Sequence, residues 1–364
     1  MIKLNLSERI LKNHEDFLEG KINYLPFNSL GQFTTWYPGL MRGEVTGLTG
    51  TPSSSKTSLL KHWVIHQGIA WAIKEKKNYH VIFVGLEESK QQFLYSMLSY
   101  QGYVKHGLQY NIKDFEGIGR TIEKKDFQAI QDTEKRVEKM LPFISYHTNT
   151  YNSYGIWKLV RDFAAKRGTF YLNNIPVANI DKDSSWDSYV PNDPDEFIVV
   201  VIDHLLLTRH QQNEKDQAEA IWNTVEFQRS YSANKLNYSV VCIHHQNADS
   251  ENQDSRKEGT VLPTENGLAV NKQVARSYFS LIGVANPNKT NQGSITQNIR
   301  MWGGHNLGIF QNYLRTLNIL KSRFGETNVN DTVFFGGRTG WFQTIPPVGS
   351  PEYQEFLKKL KTFK

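Results

Sequence analysis

The stretch "GLTGTPSSSKTSLL", residues 47–60, places Gly50 five positions before Ser55 and follows Ser55 with Lys56 and Thr57. This is the spacing of the phosphate-binding pattern G-x-x-x-x-G-K-[ST], with Ser55 standing where the pattern has its second glycine. The flanks decide how it reads. "EVTGLTG" upstream has the character of a strand. "TSLLKHWVIHQGIAWAIK" downstream reads as a helix with Leu59, Leu60, Trp63, Ile69 and Ala70 inward. Backbone N–H groups and a helix N-terminus bind an anion in just such a strand–loop–helix setting. Gly50, Ser53, Ser54, Ser55, Lys56, Thr57 and Ser58 are therefore expected around nucleotide phosphates. Lys56 would reach the β- and γ-phosphates, and Thr57 would hold Mg²⁺. Ser55 fits this expectation if its backbone reaches an allowed region, because glycine is favoured there for its freedom and does no chemistry.

Outward from the loop, short apolar runs alternate with helix-like segments. The runs are "EVTGLTG", "HVIFVGL", "FIVVVID", "YSVVCIHH", "YFSLIGVA", "LNIL" and "TVFFGG". The segments are 57–75, 88–102, 153–167 and 214–236. "FIVVVID" lacks alternation, as strands buried on both faces of a parallel sheet do. The order predicts an α/β fold, a central, mostly parallel sheet flanked by helices. Residues 7–20 read as an amphipathic helix, with Ser7 as N-cap, Ile10, Leu11, Phe17 and Leu18 near helical spacing, and Gly20 as its stop. We expect 1–43 to be an arm and linker, 44–345 the main domain, and 346–364 a basic tail. The acidic, proline-containing stretch 171–196 and the polar stretch 246–267 read as surface excursions.

Composition narrows the class. Across 364 residues, 39% hydrophobic and 12% aromatic content supports a packed core, and a net charge of +6 tilts toward an anionic partner. No apolar run reaches the roughly 20 residues of a membrane span. The start has no apolar h-region, and the single cysteine, Cys242, excludes a disulfide framework and a cysteine-rich zinc module. A cytoplasmic protein is expected.

A phosphate loop needs companions. Asp203, ending "FIVVVID", is placed as a second magnesium ligand at the C-terminal end of a strand, where open α/β sheets bind ligands. Glu87, at the tip of "HVIFVGLEES", is placed to polarise the attacking water, while its neighbour Glu88 is a candidate helix cap. His244, His245 and Gln246 end a further strand, where a polar group facing the γ-phosphate would report hydrolysis.

Together these segments resemble the RecA-type motor of DnaB-family replicative helicases, and in particular the helicase half of phage primase–helicases and Twinkle. "TPSSSKT" resembles the family's Walker A "RPSMGKT", "VGLEESKQQF" the motif of the catalytic glutamate, "IVVVIDHLLL" Walker B and "VVCIHHQN" the sensor motif. "LNILKSRFGETNVNDTVFFGGRTGWFQ" resembles the terminal motif whose lysine and arginine enter the neighbouring subunit's ATP site. The likeness runs over roughly residues 22–345. It implies a RecA-like P-loop NTPase, an ATP-dependent DNA helicase or translocase on single-stranded DNA in replication, using ATP and Mg²⁺ as a hexameric ring. It also implies a separate primase or loader, since no primase module is expected here. By the resemblance Glu87 is the general base, and the sensor is His244 by the phage pattern or His245 by the DnaB pattern. Lys321 and Arg323 are the trans-acting pair, with Arg323 the finger, and Phe335 stacks on the base. Asn266, Gly267 and Lys272 contact nucleic acid, with Gln273 matching the glutamine that follows. The segment "LPTENGLAVNK" departs from the family in lacking the arginine and second glycine of its DNA loop. The resemblance also leaves open an ATPase without unwinding activity, serving recombination, loading or regulation.

Overall fold

The structure, a computed structural model, describes residues 6–19, 24–27, 30–149, 151–178, 180, 185–211, 214–247, 262–289, 294–296, 299–323 and 325–363. Its centre is a nine-stranded sheet built from β1 (Val45–Gly50), β2 (Tyr79–Gly85), β3 (Ile144–His147), β4 (Phe197–Asp203), β5 (Ser239–His245), β6 (Ser280–Ala285), β7 (Leu314–Lys321), β8 (Val329–Gly336) and β9 (Trp341–Thr344). The spatial order is β9-β8-β7-β6-β1-β5-β4-β2-β3. The strands from β6 to β3 in that order run parallel. β7, β8 and β9 add an antiparallel flank.

The continuous apolar character of the parallel strands follows from burial on both faces. Along β4, Val199 and Val201 enter one core cluster, while Ile198, Val200 and Ile202 enter the other. The first cluster lies under the helical run that follows β1, with Leu59, Leu60, Trp63, Val64 and Ile69. The second lies under the helices Ser153–Ala165 and Gln217–Phe227, with Ile156, Val160, Ile221 and Val225. A third cluster (Leu307, Phe310, Leu314, Phe334, Tyr353, Phe356 and Leu360) packs the C-terminal end of the chain onto the antiparallel flank.

Several expectations change here. The helix after β1 runs from Lys56 to Glu75, but Lys61–Gln67 is π-helical. Hydrogen bonds to the fifth residue advance the helical phase. Ala70, expected inward, is consequently exposed, while Lys61, His62 and His66 are buried. Residues 24–41, expected as part of a linker, pack into the first cluster, because Leu25, Phe27, Leu30, Phe33, Tyr37 and Leu40 have nowhere else to bury their apolar area. In the basic segment 346–364, Pro351–Leu360 is an amphipathic helix that buries Tyr353, Phe356 and Leu360. The acidic excursion contributes to a three-stranded antiparallel sheet (Gly168–Leu172, Ile175–Pro176 and Ser188–Pro191), and its Trp186 is buried against Trp157 and Phe170. Helix Phe127–Glu138 has no counterpart among the expected segments; it is strongly polar and buries only Thr133 and Val137. The amphipathic segment near the N-terminus is the helix Leu6–Leu18, with Ile10, Leu11 and Leu18 exposed. Gly20, the side chain of Phe17 and most of the polar stretch (248–261) lie outside the described residues.

Phe27 tests whether residues 24–41 belong to the core, since its ring packs edge-on against Trp63 at a centroid distance of 3.8 Å. Phe27→Ala should cost about 3–5 kcal/mol in a urea unfolding series. A loss well under 1 kcal/mol would make this segment a detachable linker.

Candidate nucleotide site at the strand ends

The register of the sheet sets the site. His245 pairs with Gly50 and Gly85 pairs with Asp203, so the C-terminal ends of β1, β2, β4 and β5 stand level along one edge. Open α/β sheets bind ligands along that edge. At Gly50 a Cβ would stand 2.2 Å from the carbonyl oxygen of Val284 on β6, so glycine is required by close backbone approach. The chain then turns through Ser53 (φ 64°) and Ser55 (φ 77°), both left-handed, into the helix at Lys56. A non-glycine residue in this region costs roughly 1 kcal/mol. Ser55 has a compensating contact: its Oγ accepts a hydrogen bond of 3.1 Å from Nε of the buried Arg315 on β7. Lys289 ties the other side of the loop, its Nζ donating to the Pro52 carbonyl at 2.7 Å.

Lys56 folds over the loop and donates to the carbonyls of Gly50 and Thr51, each at 2.9 Å. Thr57 Oγ1 donates to Asp203 Oδ1 at 3.2 Å, a pair of hard oxygen donors of the kind magnesium takes. Burial raises the Asp203 carboxyl to about 6, against the Thr57 hydrogen bond and Lys61, which lower it. The chemistry of these donors fits Mg²⁺.

Glu87 projects half-exposed from the end of β2, and Nε2 of His204 holds it at 2.7 Å. That hydrogen bond keeps the Glu87 carboxyl below its ordinary value, against partial burial, with the charges of His204, His245 and Lys56 acting in the same direction as the bond. His204 is buried, and its Nδ1 has no partner among the described residues. Its ring centroid lies 4.2 Å from that of His245. Sequence reading gave His204 no role, although it directly follows Asp203. Ligand atoms of Glu87, His204 and His245 lie within 4.8 Å of one another, a set that can also hold a metal ion. Glu88 faces elsewhere: it pairs with the buried Lys61, which also donates to Ser96 Oγ at 3.0 Å. The expected cap at Glu88 is instead Ser89, whose Oγ accepts from the Gln92 N–H at 3.1 Å in a reciprocal capping box.

The two histidines of β5 point to opposite sides. His245 faces Lys56 and Glu87, and burial followed by the Lys56 charge depresses its imidazole to about 3, so it is neutral. His244 turns away, its ring bonded to the Ala269 carbonyl at 2.8 Å and its Nδ1 3.4 Å from Tyr278 Oη. Of the two patterns, the geometry of this chain favours His245.

Phe335 does not offer a face to a base. It is 6% exposed, packed against Phe342, with the Arg315 guanidinium 4.6 Å over its ring. The cause is β8 itself, which turns Phe335 into the first core cluster. Open space beside the loop lies elsewhere, between Thr57, Ser58 and the turn Gly337–Gly340, in a cavity of about 130 Å³.

Asn266 and Gly267 lie in a single 3₁₀ turn, Glu265–Gly267, and Lys272 and Gln273 open another, Lys272–Arg276. This loop is fastened to the end of β5. The Ala269 N–H donates to the His245 carbonyl at 2.9 Å, and the Asn247 N–H to the Gly267 carbonyl at 2.6 Å. At Gly267 a Cβ would stand 1.9 Å from Gln246 Oε1. Lys272, Gln273 and Arg276 are exposed. Lys321 Nζ donates to the carbonyls of Ala275 at 2.6 Å and Arg276 at 3.3 Å, tying β7 to the same loop.

Arg323 is at the far edge of the sheet. Leu281 of β6 pairs with both Gly47 and Lys321, so Arg323 lies near the level of Val45. There it is exposed beside the Phe279 ring, 5.5 Å from its centroid, and its charge acts on Glu44, whose carboxyl burial raises to about 8. At about 3.3 Å per strand residue, Gly50 is some 17 Å away.

No protein-family model and no curated protein matches the chain by sequence. Solved structures do match it. A DnaB-like replicative helicase, described in a study of its interactions with primase, superimposes with a TM-score of 0.65 at 14% identity over 94% of this chain and 67% of that one. The isolated ATPase domain of a second helicase superimposes with a TM-score of 0.66 at 13% identity, over 93% of this chain and 98% of that one. Among the described residues no helix is long and apolar enough to cross a membrane. The chain thus has the RecA-type α/β fold of DnaB-like helicase motor domains, matching the resemblance carried by its motifs.

Proposed function

We propose that this protein is an ATP hydrolase that drives a DNA helicase or translocase along single-stranded DNA in replication, acting as a ring of copies, hexameric by its resemblance. One observation carries the reading. Lys56, the Thr57–Asp203 pair, the Glu87–His204 pair and His245 converge at one edge of the sheet, while Arg323 stands at the opposite edge. An arginine there is out of reach of its own loop and serves only a neighbouring copy's ATP.

In this reading the loop N–H groups and Lys56 bind the β- and γ-phosphates. Thr57 and Asp203 hold Mg²⁺, which when bound neutralises charge on those phosphates. Glu87, kept ionised by His204, orients the attacking water and accepts its proton. Neutral His245 presents an N–H toward the γ-phosphate and bonds through its own carbonyl to Ala269, so loss of the phosphate is felt in the loop holding Asn266, Gly267 and Lys272. That loop is the proposed DNA contact. The exposed apolar positions of the helix Leu6–Leu18 suit docking on the next subunit.

A second reading, a RecA-type ATPase without unwinding activity, draws on the sparse charge of the loop. Lys272 and Arg276 are the only basic residues between 262 and 276. The discriminating test is ATPase rate with and without single-stranded DNA. Strong stimulation is expected for the translocase; stimulation by a protein partner in place of DNA would support the second reading. Glu87→Gln should retain ATP binding and slow turnover by about 10²-fold or more. An unchanged rate would transfer the base role to another carboxylate.

A further inference from the structure

Arg315 is an unusual residue to find beneath a phosphate loop. It is 4% exposed, and no carboxylate among the described residues lies within ion-pair distance of it. Burial alone pushes its guanidinium below the ordinary arginine range. Its position is fully fixed: one terminal nitrogen donates to the carbonyls of Asn312 (2.8 Å) and Leu314 (2.7 Å), the plane lies over Phe335, and Nε donates to Ser55 Oγ. A buried cation thus spends its most directional donor on the one loop position that departs from the glycine pattern.

Two facts about Ser55 give that contact a purpose. Its backbone is left-handed, a conformation glycine reaches freely and other residues resist. Its carbonyl also accepts the first helical hydrogen bond, from the Leu59 N–H at 2.9 Å, so any change at residue 55 moves the start of the helix that carries Lys56 and Thr57. Resting on the ATP-site reading above, we propose that Arg315 is a positioning residue for the phosphate loop, holding Ser55 through its hydroxyl in the turn that glycine would otherwise supply. The serine and the arginine form one device, and neither is sufficient without the other. Arg315 touches the loop and not the reacting atoms, so its effect falls on nucleotide affinity and KM more than on kcat.

The device predicts an order of side chains that size or polarity alone does not. Ser55→Ala keeps the left-handed cost and removes the acceptor. Ser55→Gly removes both. ADP affinity, measured by titration calorimetry with magnesium present, should fall about 10-fold or more for Ser55→Ala, the scale of one charge-assisted hydrogen bond, and fall further than for Ser55→Gly. Arg315→Gln should weaken ADP about 10-fold in the wild-type background and less than about 3-fold in the Ser55→Gly background, because glycine needs no support. KM for ATP should follow the same pattern while kcat moves less.

If Arg315 serves only core packing on Phe335, its substitution costs the same in both backgrounds, and the proposal is overturned. Ser55→Ala with wild-type ADP affinity overturns it as well, and does so without disturbing the core should Arg315→Gln fail to fold. Lys56→Ala is the separate control on the underlying reading. Retained ADP binding in that variant would remove the nucleotide site itself, whereas loss of binding there with no difference among the Ser55 variants would reject the device alone.

Discussion

The packed end of β1 is the constraint on which the remainder depends. β1 is sandwiched between β5 and β6, and at Gly50 the backbone of β6 comes so close that no side chain fits. The chain has one way out, over the edge of the sheet and back down as a helix, and it makes that turn through two left-handed serines. Parallel register then brings the other strand ends to the same line, so Asp203, Glu87 and His245 need no separate device to find the loop. The chemistry is a consequence of strand alignment, refined by single contacts such as the bond from His204 to Glu87.

The antiparallel flank has a different job. β7 begins with Arg315 under the phosphate loop and ends with Lys321 and Arg323 at the opposite edge. One stiff strand therefore touches the near site at one end and presents cations outward at the other. Lys321 is also bonded to the loop proposed to meet DNA, and that loop is bonded to the strand end bearing His245. Own nucleotide, loop and outward-facing cations form one connected set of hydrogen bonds. Such a set is a physical route for coupling between sites, and energetic coupling along it is a measurable quantity.

Much of this was legible in the residues. "FIVVVID" announces a strand buried on both faces because every one of its residues is apolar up to Asp203, and the loop at 50–57 is legible because phosphate binding demands small residues, a lysine and a hydroxyl in fixed order. Contacts across long sequence separations were not legible. The bond from Arg315 to Ser55 joins positions 260 residues apart and has no local signature. Phe335 follows the same logic in reverse: an aromatic in the expected place is committed to the core by its partners on β7 and β9. Ala70 was misplaced because a π-helical stretch breaks the 3.6-residue period on which inward and outward were assigned. Helix Phe127–Glu138 escaped notice because it buries too little apolar surface to show a clear stripe.

The central claim is that each ATP site is completed by a neighbouring copy, and a mixing experiment measures it directly. Subunits carrying Arg323→Ala lack the finger but keep Glu87; subunits carrying Glu87→Gln lack the base but keep the finger. Each alone should turn over ATP slowly, by about 10³-fold or more for the finger. Mixed and allowed to assemble, they form some interfaces that pair an intact Glu87 with an intact Arg323, and ATPase activity should reappear in proportion to those interfaces. Activity that stays at the level of the separate mutants at every mixing ratio would place Arg323 in its own subunit's structure, beside Glu44 and Phe279, and contradict a site shared between copies.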